Sequence, residues 1–221
     1  MIAADRRKIA NLYPGRWERN YVASKLRSDP LYDAVSKSLD GSKLPLLDLG
    51  CGLGLTAFFL RCEGSQIPIH GLDYDARKIK IATHAAAVFG NRDLTFDYRD
   101  LREGLPEHGG NVSILDILQF FNPEQQEALL KSACDRVALG GKLIIRSGLQ
   151  DDSLRFKVTV LGDLIAKATH WMKAAPTHYP TAECLQRILS PFGKVSITPL
   201  WGGTPFNNHL ILMEKADPEE A

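Results

Sequence analysis

The stretch Leu46-Leu47-Asp48-Leu49-Gly50-Cys51-Gly52-Leu53-Gly54 constrains this chain more than any other. Residues 44–49 form a short apolar run that reads as a strand. It enters three glycines at alternate positions, and an apolar segment of helical length follows over 53–61. Alternate glycines let the main chain turn sharply and remove side chains where a ligand must lie against the backbone. The helix start beyond them offers N–H groups that lack intrahelical partners. Asp73 closes the next strand, 67–72, and stands 23 residues after Gly50. A carboxylate there is placed to accept hydrogen bonds from both hydroxyls of a ribose. Together these features imply a nucleoside-containing ligand lying across the strand ends, where the strand order reverses.

The rest of the chain continues the alternation. A helix is predicted over 75–89, with Ile79, Ala82, Ala86 and Phe89 at helical spacing, and a short strand over 94–97. Residues 112–118 are nearly all apolar, as a central strand buried on both faces would be. Asn122-Pro123 then reads as a helix start, Asn as N-cap and Pro in the first turn. That helix runs to about residue 138 and stops at Gly140-Gly141, before a strand at 142–146. The tail differs: strands at 194–200 and 209–213 are joined too tightly for a crossover helix, so they form an antiparallel pair. The expected fold is α/β, a Rossmann-like doubly wound seven-stranded sheet, mostly parallel with one antiparallel strand near the C-terminus. Residues 1–40 are expected to form a helical cap within the same domain, and 41–215 the ligand-binding domain.

Composition narrows the class of ligand and partner. Lysine and arginine number 27 against 26 acids, a net charge of +1, so no global field recruits nucleic acid. No apolar run approaches the ~18–20 residues that span a bilayer, and 1–8 lack the apolar core of a signal peptide. Cys51, Cys62, Cys134 and Cys184 are far apart, which suggests neither a zinc site nor a disulfide framework. No histidine pair has metal-ligand spacing. The expected location is cytoplasmic, with no transmembrane segment and no metal.

Leu55 stands where a dinucleotide fingerprint would have its third glycine, so the spacing is GxGxG. Asp48 lies just before the turn. A carboxylate beside a pyrophosphate would be repulsive, whereas beside an ammonium or sulfonium it is attractive. This favours S-adenosylmethionine (SAM) over NAD.

With these residues in view, the segment resembles motif I of the class I SAM-dependent methyltransferases, and the resemblance extends over 44–213. It implies a SAM cofactor held by Asp48, Gly50, Cys51, Gly52 and Gly54, with Asp73 on the family's ribose-binding acid beside Tyr74. Asp100, followed by Leu101, resembles the acid after the third strand that contacts the adenine amino group. Asp116 and Gln119 match the end of the fourth strand and the turn toward the methyl group. The stretches 21–26, 145–148 and 204–208 resemble small methyltransferases of arylpolyene or dialkylresorcinol-type lipid pathways. Those tend to place His after the fourth strand, whereas this chain has Gln119. The activity implied is methyl transfer to a small organic acceptor, aromatic or lipid-like, free or carrier-bound, with no nucleic-acid partner.

Several residues keep a second reading. Cys51 reads as a small filler between glycines rather than a nucleophile. Asp73 is also a candidate helix cap, and Asp97 competes with Asp100 for the adenine. Asp116 either faces the cleft or satisfies neighbouring backbone, since an unpaired charge inside an apolar strand is costly. Catalytic candidates on the acceptor side are Asp116, Gln119 as an orienting group, and His178 as a base. Arg146 either binds an acidic acceptor or pairs with an acid. Leu154, Val158, Leu161, Ile165, Ala168 and Met172 recur at helical spacing and predict a core-facing helix, whose Trp171-Met172 end would wall an acceptor pocket. Over 1–27, seven basic residues face two acidic ones, a pattern usual for a solvated surface. An NAD-dependent oxidoreductase and a non-catalytic SAM-binding protein remain as rival classes.

Overall fold

All four residues of β1 (Leu46–Leu49) are buried, because this strand lies inside the sheet and has helices on both faces. It pairs in parallel with β2 (Ile69–Asp73) on one side and β4 (Asn111–Leu115) on the other. β3 (Leu94–Tyr98) and β5 (Lys142–Gly148) extend the parallel sheet, and β6 (Lys194–Pro199) and β7 (Asn208–Glu214) complete the order β3-β2-β1-β4-β5-β7-β6. β7 runs antiparallel to both of its neighbours, as the tight 200–207 connection requires. The expected seven-stranded architecture, with its single reversed strand, is the one observed. The computed structural model describes residues 3–90, 93–168 and 176–216, with side chains described for 5–90, 93–162 and 176–216.

Helices cover the two faces of the sheet. On one face, α4 (Leu55–Cys62) and α5 (Ala76–Phe89) bury Phe58, Phe59, Ile79 and Ala82. Three N-terminal helices, α1 (Ala3–Ala10), α2 (Arg16–Ser28) and α3 (Leu31–Ser38), add Ile9, Tyr13, Val22 and Val35 to that same cluster. Each fully buried side chain of this kind contributes ~1.5–3 kcal/mol of hydrophobic transfer. Tyr13, in the turn after α1, also donates its hydroxyl to the Leu53 carbonyl at 2.8 Å, which ties the N-terminal layer to the glycine turn. On the other face, α6 (Pro123–Arg136) and α8 (Ala182–Leu189) bury Leu129, Leu130, Leu185 and Leu189. α6 starts as the sequence predicts. Asn122 accepts from the Gln125 N–H at 2.9 Å, and Gln125 accepts in return from the Asn122 N–H at 3.0 Å.

Two expectations change. β4 ends at Leu115 rather than at residue 118, and Asp116 turns the chain with φ +60°, the only non-glycine residue with positive φ among those described. Asp116 is therefore at the strand's C-terminal tip and not in its interior. Second, α7 (Leu154–Ala168) does not turn its leucine stripe inward: Leu154 is 78% exposed, Leu161 58% and Val158 38%. The buried side of α7 is instead held by hydrogen bonds and close fits. Arg155 donates to the Thr204 carbonyl at 2.7 Å, Thr159 Oγ1 accepts from the Asn207 N–H at 2.7 Å, and Gly162 faces the Phe206 ring. These contacts to the 200–207 loop set the rotation of the helix against its apolar periodicity. The side chains of Ile165 and Ala168, and Trp171 and Met172 altogether, lie outside the described residues.

Candidate active site

Because β1 sits between β2 and β4, the crossovers leave it in opposite directions, and a crevice opens above its C-terminal end. A cavity of about 470 Å³ occupies this place and continues over the tips of β4 and β5. Its first wall is the glycine turn. The Gly50 and Cys51 N–H groups both donate to the Leu72 carbonyl, at 2.7 and 3.0 Å, which bends the chain back toward β2. Gly52 has φ +57°, and a Cβ built there would meet nothing within 4 Å, so its missing side chain leaves space on the cavity side. Gly54 has φ +74° for a different reason. A Cβ there would lie 2.6 Å from Phe96 Cζ, and Gly54 is not among the cavity-lining residues. It is the N-cap of α4 and packs against the core beside Phe96 and Phe58.

Asp73 is 6% exposed and lines the cavity. Its Oδ2 accepts from the Gly52 N–H at 2.9 Å and its Oδ1 from the Asp75 N–H at 2.7 Å. The carboxylate thus fixes the turn, and each oxygen keeps a lone pair for a ligand hydroxyl. The cap of α5 is Asp75, whose side chain accepts from the Arg77 N–H, so Asp73 does not fill that role. Asp48 is 2% exposed and accepts the Ser113 hydroxyl at 2.6 Å. Burial pushes its carboxyl up to about 6, against the opposing effect of the Ser113 hydrogen bond. Cys51 has its thiol pushed well up by desolvation and sits over Gly71, where a Cβ would come 2.8 Å from Sγ. It also lines the cavity beside Gly50 and Gly52.

At the far end, Tyr74, Asp100 and Leu101 line the cavity. Arg102 grips Asp100 through Nε at 2.8 Å and Nη2 at 2.6 Å, and this guanidinium holds the carboxyl below its ordinary value. Asp97, the competitor, pairs with His70 at 2.8 Å on the exposed surface and does not line the cavity.

The opposite end is built on β4 and β5. Arg146, 3% exposed, donates through Nε to Asp116 Oδ1 at 2.7 Å and through Nη2 to Asp116 Oδ2. Its Nη1 donates to Asp29 Oδ1, and Lys25 Nζ bonds Asp29 Oδ2 at 3.1 Å. Two cations thus face two carboxylates, and Arg146 does not serve as a free anion receptor. Gln119 follows in the 3-10 turn Leu118–Phe120, is 6% exposed, and lines the cavity. His178 lies elsewhere: its backbone N–H points to the Gln119 carbonyl and its own carbonyl accepts from Gln126, but it does not line the cavity. Its main chain braces the turn that carries Gln119.

Sequence reasoning missed Asp29, Ser113 and Arg102. The Ser113 signal was present, since one polar residue in the apolar β4 stands directly across from Asp48 in the β1–β4 register. Asp29 carries no such signal, because its partner is 117 positions away.

The Methyltransferase domain family matches residues 40–200, and this chain belongs to that family, whose class I members bind SAM. It is 29% identical over 126 residues to the carboxy-S-adenosyl-L-methionine synthase of Helicobacter pylori strain J99, covering 57% of this chain and 49% of that protein. It is 30% identical over 130 residues to the tRNA N(3)-cytidine methyltransferase METTL6 of Rattus norvegicus, covering 55% of this chain and 45% of the other. The chain therefore spans about half the length of the curated relatives it matches. Among solved structures, magnesium protoporphyrin IX methyltransferase from Synechocystis PCC 6803 with bound S-adenosylhomocysteine (SAH) superposes with a TM-score of 0.65 at 17% identity, over 96% of this chain and 94% of that one. The pyocyanin biosynthetic protein PhzM gives 0.67 at 18%, over 96% of this chain and 62% of the other. At these identities the structural likeness speaks to the fold.

Proposed function

We propose that this chain transfers a methyl group from SAM to a small organic acceptor. The observation that carries the reading is Gly52: a left-handed residue with open space where its Cβ would be, its N–H fixed by Asp73, on the wall of the inter-strand cavity. When bound, SAM supplies a methyl group already made electrophilic by the sulfonium. The protein's work is to hold and orient, which can account for ~7–11 kcal/mol of a barrier. In this reading Asp48 and the 50–52 turn face the methionine end, Asp73 takes the ribose, and Asp100 with Tyr74 and Leu101 flanks the adenine. Residues 1–40 act as a helical cap of the same domain as 41–215, and their share in one hydrophobic cluster with α4 and α5 supports this.

The acceptor is aromatic or lipid-like. Phe120, Phe121, Tyr179 and Phe206 line the same cavity near Asp116 and Gln119, which supports an apolar, planar occupant. Asp116, chelated by Arg146, orients the acceptor rather than taking its proton. An RNA acceptor, raised by the names of two relatives, is less well supported by 27 basic against 26 acidic residues. Thermal shift with SAM, SAH and NAD, then acceptor screening with methyl-labelled SAM, tests the proposal. SAM and SAH should stabilise the protein and label should reach an aromatic acceptor. Stabilisation by NAD alone would overturn it.

A further inference from the structure

Gln119 has one side-chain atom that the fold leaves unsatisfied. Its Nε2 donates to the Asp116 carbonyl at 3.1 Å, which fixes the amide's orientation, since the reverse would set two oxygens against each other. Its Oε1 is buried and has no hydrogen-bond partner among the described residues. The turn carrying it is unusually well braced. Three carbonyls, of Leu118, Phe121 and His178, share the two hydrogens of Gln126 Nε2 at 2.9, 3.1 and 3.0 Å. The Gln119 carbonyl in turn accepts from the Thr177 N–H at 2.7 Å. An orphaned acceptor held this firmly costs stability unless a ligand completes it.

The surrounding charges say what kind of ligand that is. Arg146 is saturated by Asp116 and Asp29, and Lys25 is paired with Asp29. Neither cation is left unpaired to draw an acceptor carboxylate, while Asp116 sits three residues from Gln119. An uncharged group with a hydrogen to donate fits this corner; a carboxylate or a fully alkylated oxygen does not.

Resting on the methyl-transfer reading of the cavity, we propose that Gln119 Oε1 is a specificity contact for the acceptor, accepting a hydrogen bond from a neutral O–H or N–H group on an aromatic substrate. This separates hydroxy- and amino-arenes from acceptors that offer only ring carbon or an ether.

The test uses the full-length protein saturated with SAH and ligand-observed NMR titration of three probes: 2-naphthol, 2-aminonaphthalene and 2-methoxynaphthalene. Naphthol or its amine should bind at least about fivefold more tightly than the ether, and which of the two is preferred identifies the donor. In Gln119→Met the preference should fall to within about twofold while the variant still binds SAH. Equal binding of ether and naphthol to the wild type, or a preference that survives in Gln119→Met, overturns the proposal. A parallel loss of SAH affinity also overturns it, because Oε1 would then serve the cofactor's ammonium. Failure of the methyl-transfer reading is seen separately, as absence of SAH binding in the wild type.

Discussion

Ser113 on β4 donates its hydroxyl to Asp48 on β1 across 2.6 Å of a fully buried sheet interior. Asp48 has a folded-state value of about 6, above its ordinary 3.8, because burial penalises the charged form. Between those values the folded state binds the extra proton, so this group's contribution to stability falls as pH rises through about 4 to 6. Above 6 the penalty is fully present, roughly 3 kcal/mol. A cationic ligand favours the ionised form, so SAM affinity should weaken below about pH 6, by up to about tenfold per unit. Calorimetry from pH 5 to 8 checks this. Asp48→Asn should flatten the profile, and Ser113→Ala should move the break upward, since the hydroxyl's hydrogen bond holds the value down.

Gly52 and Gly54 look alike in sequence and should respond differently. Gly52→Val should abolish SAM binding in calorimetry while costing about 1–3 kcal/mol of stability for the strained backbone. Gly54→Ala should reduce stability by a similar or larger amount, because its Cβ adds a clash with Phe96, and what folds should still bind SAM. Equal binding losses in the two variants would contradict this division of labour.

Asp73→Ala should weaken SAM binding by about 1–3 kcal/mol through lost charged hydrogen bonds. It should also loosen the turn, since Gly52 and Asp75 lose their acceptor. Unchanged affinity by calorimetry would remove Asp73 from the site.

The motif and its strand order were legible because they are local: glycines, apolar runs and end signals act within a few residues. The acceptor side was not. Asp29 reaches Arg146 because it ends α2 just before α3, which packs against β5, and no spacing in the chain encodes that meeting. The rotation of α7 was misread for a related reason. Its leucines have the right period, but Arg155 and Thr159 anchor it to the 200–207 loop, and those hydrogen bonds outweigh the stripe. His178 braces the Gln119 turn through its main chain, a contact that no side-chain pattern encodes.

Arg146 offers a test of the buried charges. Arg146→Met leaves Asp29 and Asp116 without their shared cation and should cost about 3–5 kcal/mol in denaturant unfolding. Adding Asp29→Asn should recover part of that loss. An additive double variant would mean the two residues are not coupled.

Asp116→Asn keeps a side chain that tolerates φ +60° but gives up one charge toward Arg146. Turnover with an acceptor found by screening should fall more than SAM affinity. Equal falls would argue against an acceptor-side role.

The link from Asp29 to Arg146 bears on anyone who wishes to shorten this protein for engineering. A version beginning at residue 41 would keep every glycine of the nucleoside cradle, yet it would uncover the apolar flank of α4 and deprive β5 of one counter-charge. Minimal versions should therefore keep the N-terminal helices, or be regrafted with a helical layer that supplies an acid at that point.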